Sequence, residues 1–149
     1  MTETPKEMLD TMLGYLGFVC DIKELDGETG PTLMIYSGER EKLIGRNGQT
    51  LDHIQYLLNI LIHQRDKAVP RVTVDVEHWR QMREDQLVQR AKQLADLVRK
   101  TGRPFYLDPM NSYDRRIIHN AFKDDPEIQT YSPPDEAKVK RITLRRREA

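Results

Sequence analysis

The chain has 149 residues, with 24 Lys and Arg set against 24 Asp and Glu and a single cysteine. Zero formal net charge excludes a uniformly basic nucleic-acid sponge, though not a local patch, and a lone Cys20 excludes an internal disulfide, which suits a reducing compartment. The longest apolar run, Tyr56 to Ile62, is interrupted by Asn59 and falls far short of the ~18 residues of a membrane span, and the N-terminus lacks the basic-then-apolar form of a signal peptide, so the expectation is a soluble, cytoplasmic protein with no membrane insertion.

Met8, Leu9, Met12, Leu13 and Leu16 recur at helical spacing and predict a first helix over residues 6–16. Phe18, Cys20 and Ile22 then alternate, as in a half-buried strand. Residues 26–31, DGETGP, read as a turn, and TLMIYSG after it as the second strand of a hairpin. EREKL is a short helical turn. From Gln49 to about Asp66, Leu51, Ile54, Leu58 and Leu61 mark one face of a longer helix, which Pro70 stops. RVTVDVE is a strand with Val72, Val74 and Val76 on one face. The order is α-β-β-α-α-β, and it closes a unit at residue 77.

The second half opens with a helix over about His78–Lys100, whose Leu87, Ala91, Leu94 and Val98 share a face and which Gly102 and Pro104 end. FYLDP is a short strand. Asn111 followed by Asp114 has the form of a capping box, and the helix behind it buries Ile117, Ile118, Ala121 and Phe122. EIQTYSPP is a strand, DEAK a turn, and KRITLRR a final strand with Ile142 and Leu144 inward. The fold class is therefore α+β in two domains: residues 1–77, and residues 78–149 as two helices on a three-stranded sheet.

One constellation lies in LIGRNGQTLDHIQ. Gly45 and Gly48 bracket Arg46 and Asn47 between two helices. Without a Cβ, the glycines accept unusual backbone angles and a close ligand. The loop amides and the following helix N-terminus favour phosphate. Arg46 adds charge and Asn47 a neutral donor, while Ile44, Leu51 and Ile54 are candidates for the floor of an apolar groove. A bare G-x-x-G also serves as a plain helix-helix turn. In its α-β-β-α-α-β setting, however, this stretch closely resembles the type II K-homology (KH) domain, a three-stranded sheet with helices on one face. The resemblance covers residues 6–77 and implies that Ile44, Gly45, Arg46, Asn47, Gly48 and Leu51 grip single-stranded RNA.

A second constellation lies in MNSYDRRIIHNAF. Arg115 and His119 are four apart, and with Arg116 and Lys123 they fall in one arc opposite the isoleucines, facing solvent or a ligand. The polar face of an ordinary helix has the same look. The stretch as a whole also resembles the core of the R-x-x-x-H (R-three-H) domain, a single-stranded nucleic-acid binder whose signature pair matches Arg115 and His119; the resemblance covers about residues 80–147. Charge is uneven along the chain: beyond Glu136, six cations face only Glu136 and Glu148. Lys140, Arg141 and Arg145 of the final strand could extend the helix patch.

The two units in this order resemble the bacterial Jag family. Many members carry a further N-terminal domain, whereas this chain is expected to start at the KH-like unit. The resemblance implies an RNA chaperone or post-transcriptional regulator linked to cell shape and envelope growth, paired with a small single-KH protein. A protein-interaction scaffold at the membrane insertase or division machinery, or a single-stranded DNA binder, is the alternative. No enzyme, cofactor or metal is expected. His53, His63, His78 and His119 lack metal-ligand spacing, and Cys20, Ser37 and Ser112 lack a partnering base.

Overall fold

A computed structural model describes residues 3–134 and 137–148. The chain divides into two units, residues 1–80 and 81–149. The first begins with helix α1, Pro5–Tyr15. The Thr4 hydroxyl accepts the Glu7 amide at 3.2 Å and the Glu7 carboxylate accepts the Thr4 amide at 3.0 Å, a reciprocal cap ahead of Pro5. Met8, Leu9 and Leu13 are buried, but the helix ends at Tyr15 and leaves Leu16 exposed, one step beyond the periodic face.

Strands β1, Asp21–Gly27, and β2, Gly30–Tyr36, pair antiparallel from Asp21↔Tyr36 to Gly27↔Gly30. Pairing runs further than the expected turn over 26–31, so the hairpin is closed by Glu28 and Thr29 alone. Phe18 and Cys20 do share the inward side with Ile22, ahead of the first ladder bond. Strand β3, Thr73–Val76, adds to β2 in parallel, giving the order β1-β2-β3.

Between β2 and β3 lie helix α2, Arg40–Ile44, a 3₁₀ turn, Arg46–Gly48, and helix α3, Gln49–Arg65. Helix α3 buries Leu51, Ile54, Leu58 and Ile62, whereas Leu61 is 39% exposed, so the face continues at i+4 rather than at i+3. Pro70 does not end it. Asp66 does, by turning to extended angles and accepting the Ala68 amide on its own carboxylate at 2.9 Å. Asn59, the polar break in the apolar run, takes both backbone groups of Val72: its side-chain amide donates to the carbonyl at 2.9 Å and its oxygen accepts the N–H at 2.9 Å. Gln55 accepts the Val74 amide at 2.8 Å. These two side chains satisfy backbone groups at the start of β3 and just ahead of it, on the edge that no further strand reaches among the described residues. Val72, Val74 and Val76 are buried as the alternation requires, and so is Asp75, whose carboxylate accepts the amides of Val76 and Arg80 at 2.8 and 3.2 Å.

Helix α4, Trp79–Thr101, has its first two residues in the first unit and the rest in the second. In the second unit it buries Ala91, Ala95 and Val98, with Leu87 and Leu94 half-buried beside them. Gly102, at φ +72°, ends it, and its amide donates to the Val98 carbonyl at 2.8 Å. Strands β4, Phe105–Tyr106, β5, Ile128–Tyr131, and β6, Thr143–Arg146, form an antiparallel sheet in the order β4-β6-β5. Helix α5, Ser112–Phe122, packs on this sheet beside α4, over Ile128, Ile142 and Leu144. The DEAK turn expected at 135–138 falls partly outside the described residues.

The start of α5 departs from the expected capping box. Asn111 accepts the Asp114 amide at 2.9 Å, but the Asp114 carboxylate does not return the bond. It is buried, and both its oxygens accept the guanidinium of Arg83 on α4, at 3.0 and 2.7 Å. Arg83 thus supplies the paired, bidentate partner that a buried carboxylate requires. Ile118 and Phe122 are buried with it, Ile117 is half-buried, and Ala121 faces solvent, one residue off the inward stripe.

Candidate nucleic-acid interface

In the loop between α2 and α3, Gly45, Asn47 and Gly48 all hold positive φ, at +71°, +54° and +79°. Asn is among the few non-glycine residues that tolerate this region. A Cβ at Gly45 would overlap the Thr50 hydroxyl, and one at Gly48 would overlap the Trp79 ring. Both glycines are therefore demanded by backbone angle and by packing within this unit, ahead of any approach by a ligand. The result is that Arg46 and Asn47 stand exposed at the loop's apex.

Gly48 is the N-cap of α3, and no side chain caps that helix start. The Gln49 amide at that start already donates to the Arg46 carbonyl, and the positive end of the α3 dipole lies beside Arg46 and Asn47. Asp52 in the first turn would oppose an anion, but the Arg80 guanidinium meets its carboxylate at 2.8 Å. Ile44, Leu51 and Ile54, expected to floor a groove, are instead core residues, at 6%, 0% and 5% exposure. They anchor the loop from beneath rather than offering it a surface.

Helix α5 differs from its expected outward arc. Arg116 and Lys123 are exposed, but Arg115 and His119 are half-buried. Arg115 donates through Nη1 to the carbonyls of Met110 at 2.6 Å and Lys138 at 3.4 Å. His119 has both ring nitrogens engaged, Nδ1 with the Thr130 hydroxyl and Nε2 with the Ser132 hydroxyl at 3.0 Å. Burial, and then the nearby Arg115 charge, hold its pKa below the usual 6.5, which favours the neutral imidazole. The signature pair thus fastens three segments: the entry to α5, strand β5, and the run around Lys138.

The basic strand is also mixed in its use. Lys140 donates to the Pro133 carbonyl at 2.9 Å, while Arg141 is exposed. Arg145 donates through Nε to Gln129 at 3.1 Å. Arg147 serves the C-terminal end of α5, donating to the carbonyls of Phe122, Lys123 and Asp125, where cations suit the negative end of the dipole. Asp125 sits just beyond that end. Burial alone would raise its pKa, but the Glu127 and Ile128 amides and the charges of Arg99 and Arg147 together hold it below the usual carboxylate value.

Elsewhere, His63 is not merely solvated, since Nε2 meets the Val69 carbonyl at 3.1 Å. The Cys20 thiol is pushed up by burial and by Asp10 and Asp21, the opposite of an activated nucleophile. Among the described residues no cluster of three or more His, Cys, Asp or Glu could hold a metal, and no helix is long and apolar enough to cross a membrane.

Residues 85–146 match the R-three-H domain family. The chain is 42% identical over 132 residues to the RNA-binding protein KhpB of Clostridium symbiosum, covering 87% of this chain and 60% of that protein. It is 38% identical over 99 residues to the RNA-binding protein KhpB of Bacillus subtilis, covering 64% of this chain and 48% of that protein. A third relative, the RNA-binding protein KhpB of Lactiplantibacillus plantarum, is 29% identical over 117 residues, 78% of this chain and 36% of its own length. The chain thus spans between about a third and three fifths of these relatives.

Proposed function

We propose, for a chain that belongs to the Jag family of KhpB-like proteins and carries an R-three-H domain, that it binds single-stranded RNA through the loop at residues 45–48 and through the basic edge of its second unit. The observation that carries the reading is the pairing of exposed Arg46 and Asn47 with a helix N-terminus that no side chain caps. Three positive φ angles hold that pairing open. A phosphate there meets one charge, one neutral donor and backbone amides, the combination that grips a sugar-phosphate backbone. The relatives' description as RNA-binding proteins supports the same reading.

The first unit is read as a type II KH domain, which its α-β-β-α-α-β order supports. In the second, Arg116, Lys123, Arg141 and Arg145 supply charge toward phosphate. Arg115, His119 and Lys140 act one step back, holding the segments that carry those cations. Two weak grips on one chain strengthen each other through effective concentration. By family resemblance the role extends to an RNA chaperone or post-transcriptional regulator in the cytoplasm, tied to cell shape and envelope growth. A small single-KH protein is the partner that the same resemblance implies.

The test is anisotropy binding of a labelled single-stranded RNA pool at two salt concentrations, with a matched DNA pool beside it. Salt-sensitive binding that prefers RNA supports the proposal. Equal binding of both pools shifts it to single-stranded nucleic acid in general. Binding of neither removes it and favours a protein-interaction scaffold.

A further inference from the structure

The second sheet has two faces, and pairing register decides which residue lies on which. Leu144 stands opposite Phe105 on one side and Thr130 on the other, while Ile128 stands opposite Arg146. Ile128, Ile142 and Leu144 are fully buried against α4 and α5, so these rows form the helix side. Side chains one step along each strand point the other way. Tyr106 and Tyr131 both pair directly with Thr143, one from each flanking strand, and Gln129 pairs with Arg145 in the next row.

The outward face therefore carries a row Tyr106–Thr143–Tyr131 across all three strands. Tyr106 is 62% and Tyr131 44% exposed. The Arg145 guanidinium lies over the Tyr131 ring, 5.4 Å from its centroid, and Gln129 holds its Nε. Ile142 is buried and its neighbour Arg141 is exposed, so the same alternation carries a second cation toward this side.

We propose that this outward face of the second sheet is a base-stacking platform for single-stranded RNA, with Tyr106 and Tyr131 as the stacking rings and Arg145 and Arg141 as the cations that meet the phosphates. The proposal rests on the RNA-binding reading above and adds a surface to it. Two strand spacings set the tyrosines roughly 10 Å apart, wide enough for each ring to take its own base. The short Thr143 side chain between them leaves that span open. Aromatic rings on a flat sheet beside arginines are the combination by which single strands are held without duplex geometry. Arginine beside the rings suits a polyanion better than it suits an apolar peptide.

The experiment compares the full chain with Tyr106→Ala, Tyr131→Ala, Tyr106→Phe and Tyr131→Phe in anisotropy titrations of a single-stranded RNA. Each alanine variant is expected to weaken binding at least about fivefold, the loss of one stacked base. The salt slope should stay unchanged, because stacking carries no charge. The phenylalanine variants should bind like the parent. A second measurement uses the unaltered chain: upfield movement of the Tyr106 and Tyr131 ring protons on titration with the same RNA supports stacking. Alanine variants that fold and bind undiminished overturn the platform and leave the RNA-binding reading intact. So do ring protons that stay in place while the Arg46 amide moves. Equal losses with phenylalanine assign the effect to the hydroxyls and overturn stacking. A parent chain that binds no RNA overturns both readings.

Discussion

The loop at residues 45–48 and helix α5 each carry a short signature of spaced polar residues, yet the two use them in opposite ways. In the loop, the invisible residues do the fastening: Gly45 fits against Thr50 and Gly48 against Trp79, and the charged and amide side chains between them are left outside. In α5, the signature side chains are themselves the fasteners. Arg115 reaches two carbonyls and His119 two hydroxyls, so the cations left for a ligand are Arg116 and Lys123. A motif's spacing therefore tells which residues matter without telling whether they touch the ligand or hold what does.

The largest expected effect that could break this contrast is at Gly48. Gly48→Ala must place a Cβ into the Trp79 ring at φ +79°. Strain and overpacking together should cost about 3 kcal/mol in chemical denaturation. A variant as stable as the parent would mean that the glycine is there for a ligand alone. Next comes the double change Arg46→Asp with Asn47→Asp. It should weaken RNA binding at least about tenfold by setting like charge against phosphate, while stability moves by no more than about 0.5 kcal/mol, as for exposed positions. Undiminished affinity in the folded double variant takes the loop out of the interface.

Arg115→Ala sharpens the other side. If Arg115 is a fastener, stability falls by about 1 kcal/mol and the salt slope of RNA binding does not move. A slope shallower by about 0.7 would instead put a phosphate on its guanidinium. The same substitution removes a neighbouring charge that depresses His119, so an NMR titration should find the His119 pKa raised relative to the parent. The smallest effect is in pH. The folded pKa of His119 lies below the unfolded value of about 6.5. Its contribution to stability is therefore complete above that value and is lost as pH falls through the lower folded pKa. Denaturation at stepped pH should show the parent losing more stability below pH 6.5 than His119→Gln does. Parallel curves would mean that the imidazole is not held neutral.

Much of the fold was legible because it is written locally. Alternation in RVTVDVE and the three-and-four rhythm from Leu51 to Leu58 need only neighbouring residues to be read. The errors cluster where one choice of i+3 or i+4 decides a side, as at Leu61 against Ile62, or where a helix ends a residue early, as at Leu16. The candidate sites were legible as stretches and not as roles. Arg115 finds its second carbonyl 23 residues away, His119 its hydroxyls 11 and 13 away, and Gly48 its neighbouring ring 31 away. No helical wheel contains those partners. Asp114 looked like a cap because Asn111 was near, but its charge was spoken for by Arg83 on another helix. Tyr106 and Tyr131 carry no sequence signal for a related reason. Each is an ordinary outward residue of a short strand until the register sets both against Thr143.

Trp79, the wall that Gly48 leans on, is also the only tryptophan in the chain. Its indole emission is therefore an optical gauge of the loop that nature has already installed. The unlabelled protein can be watched in stopped flow or in a melting curve, and any shift in intensity or wavelength on adding an oligonucleotide reads out the surroundings of Gly48 without a dye. Light from one ring would then report the arrival of a ligand at the apex that holds Arg46 and Asn47.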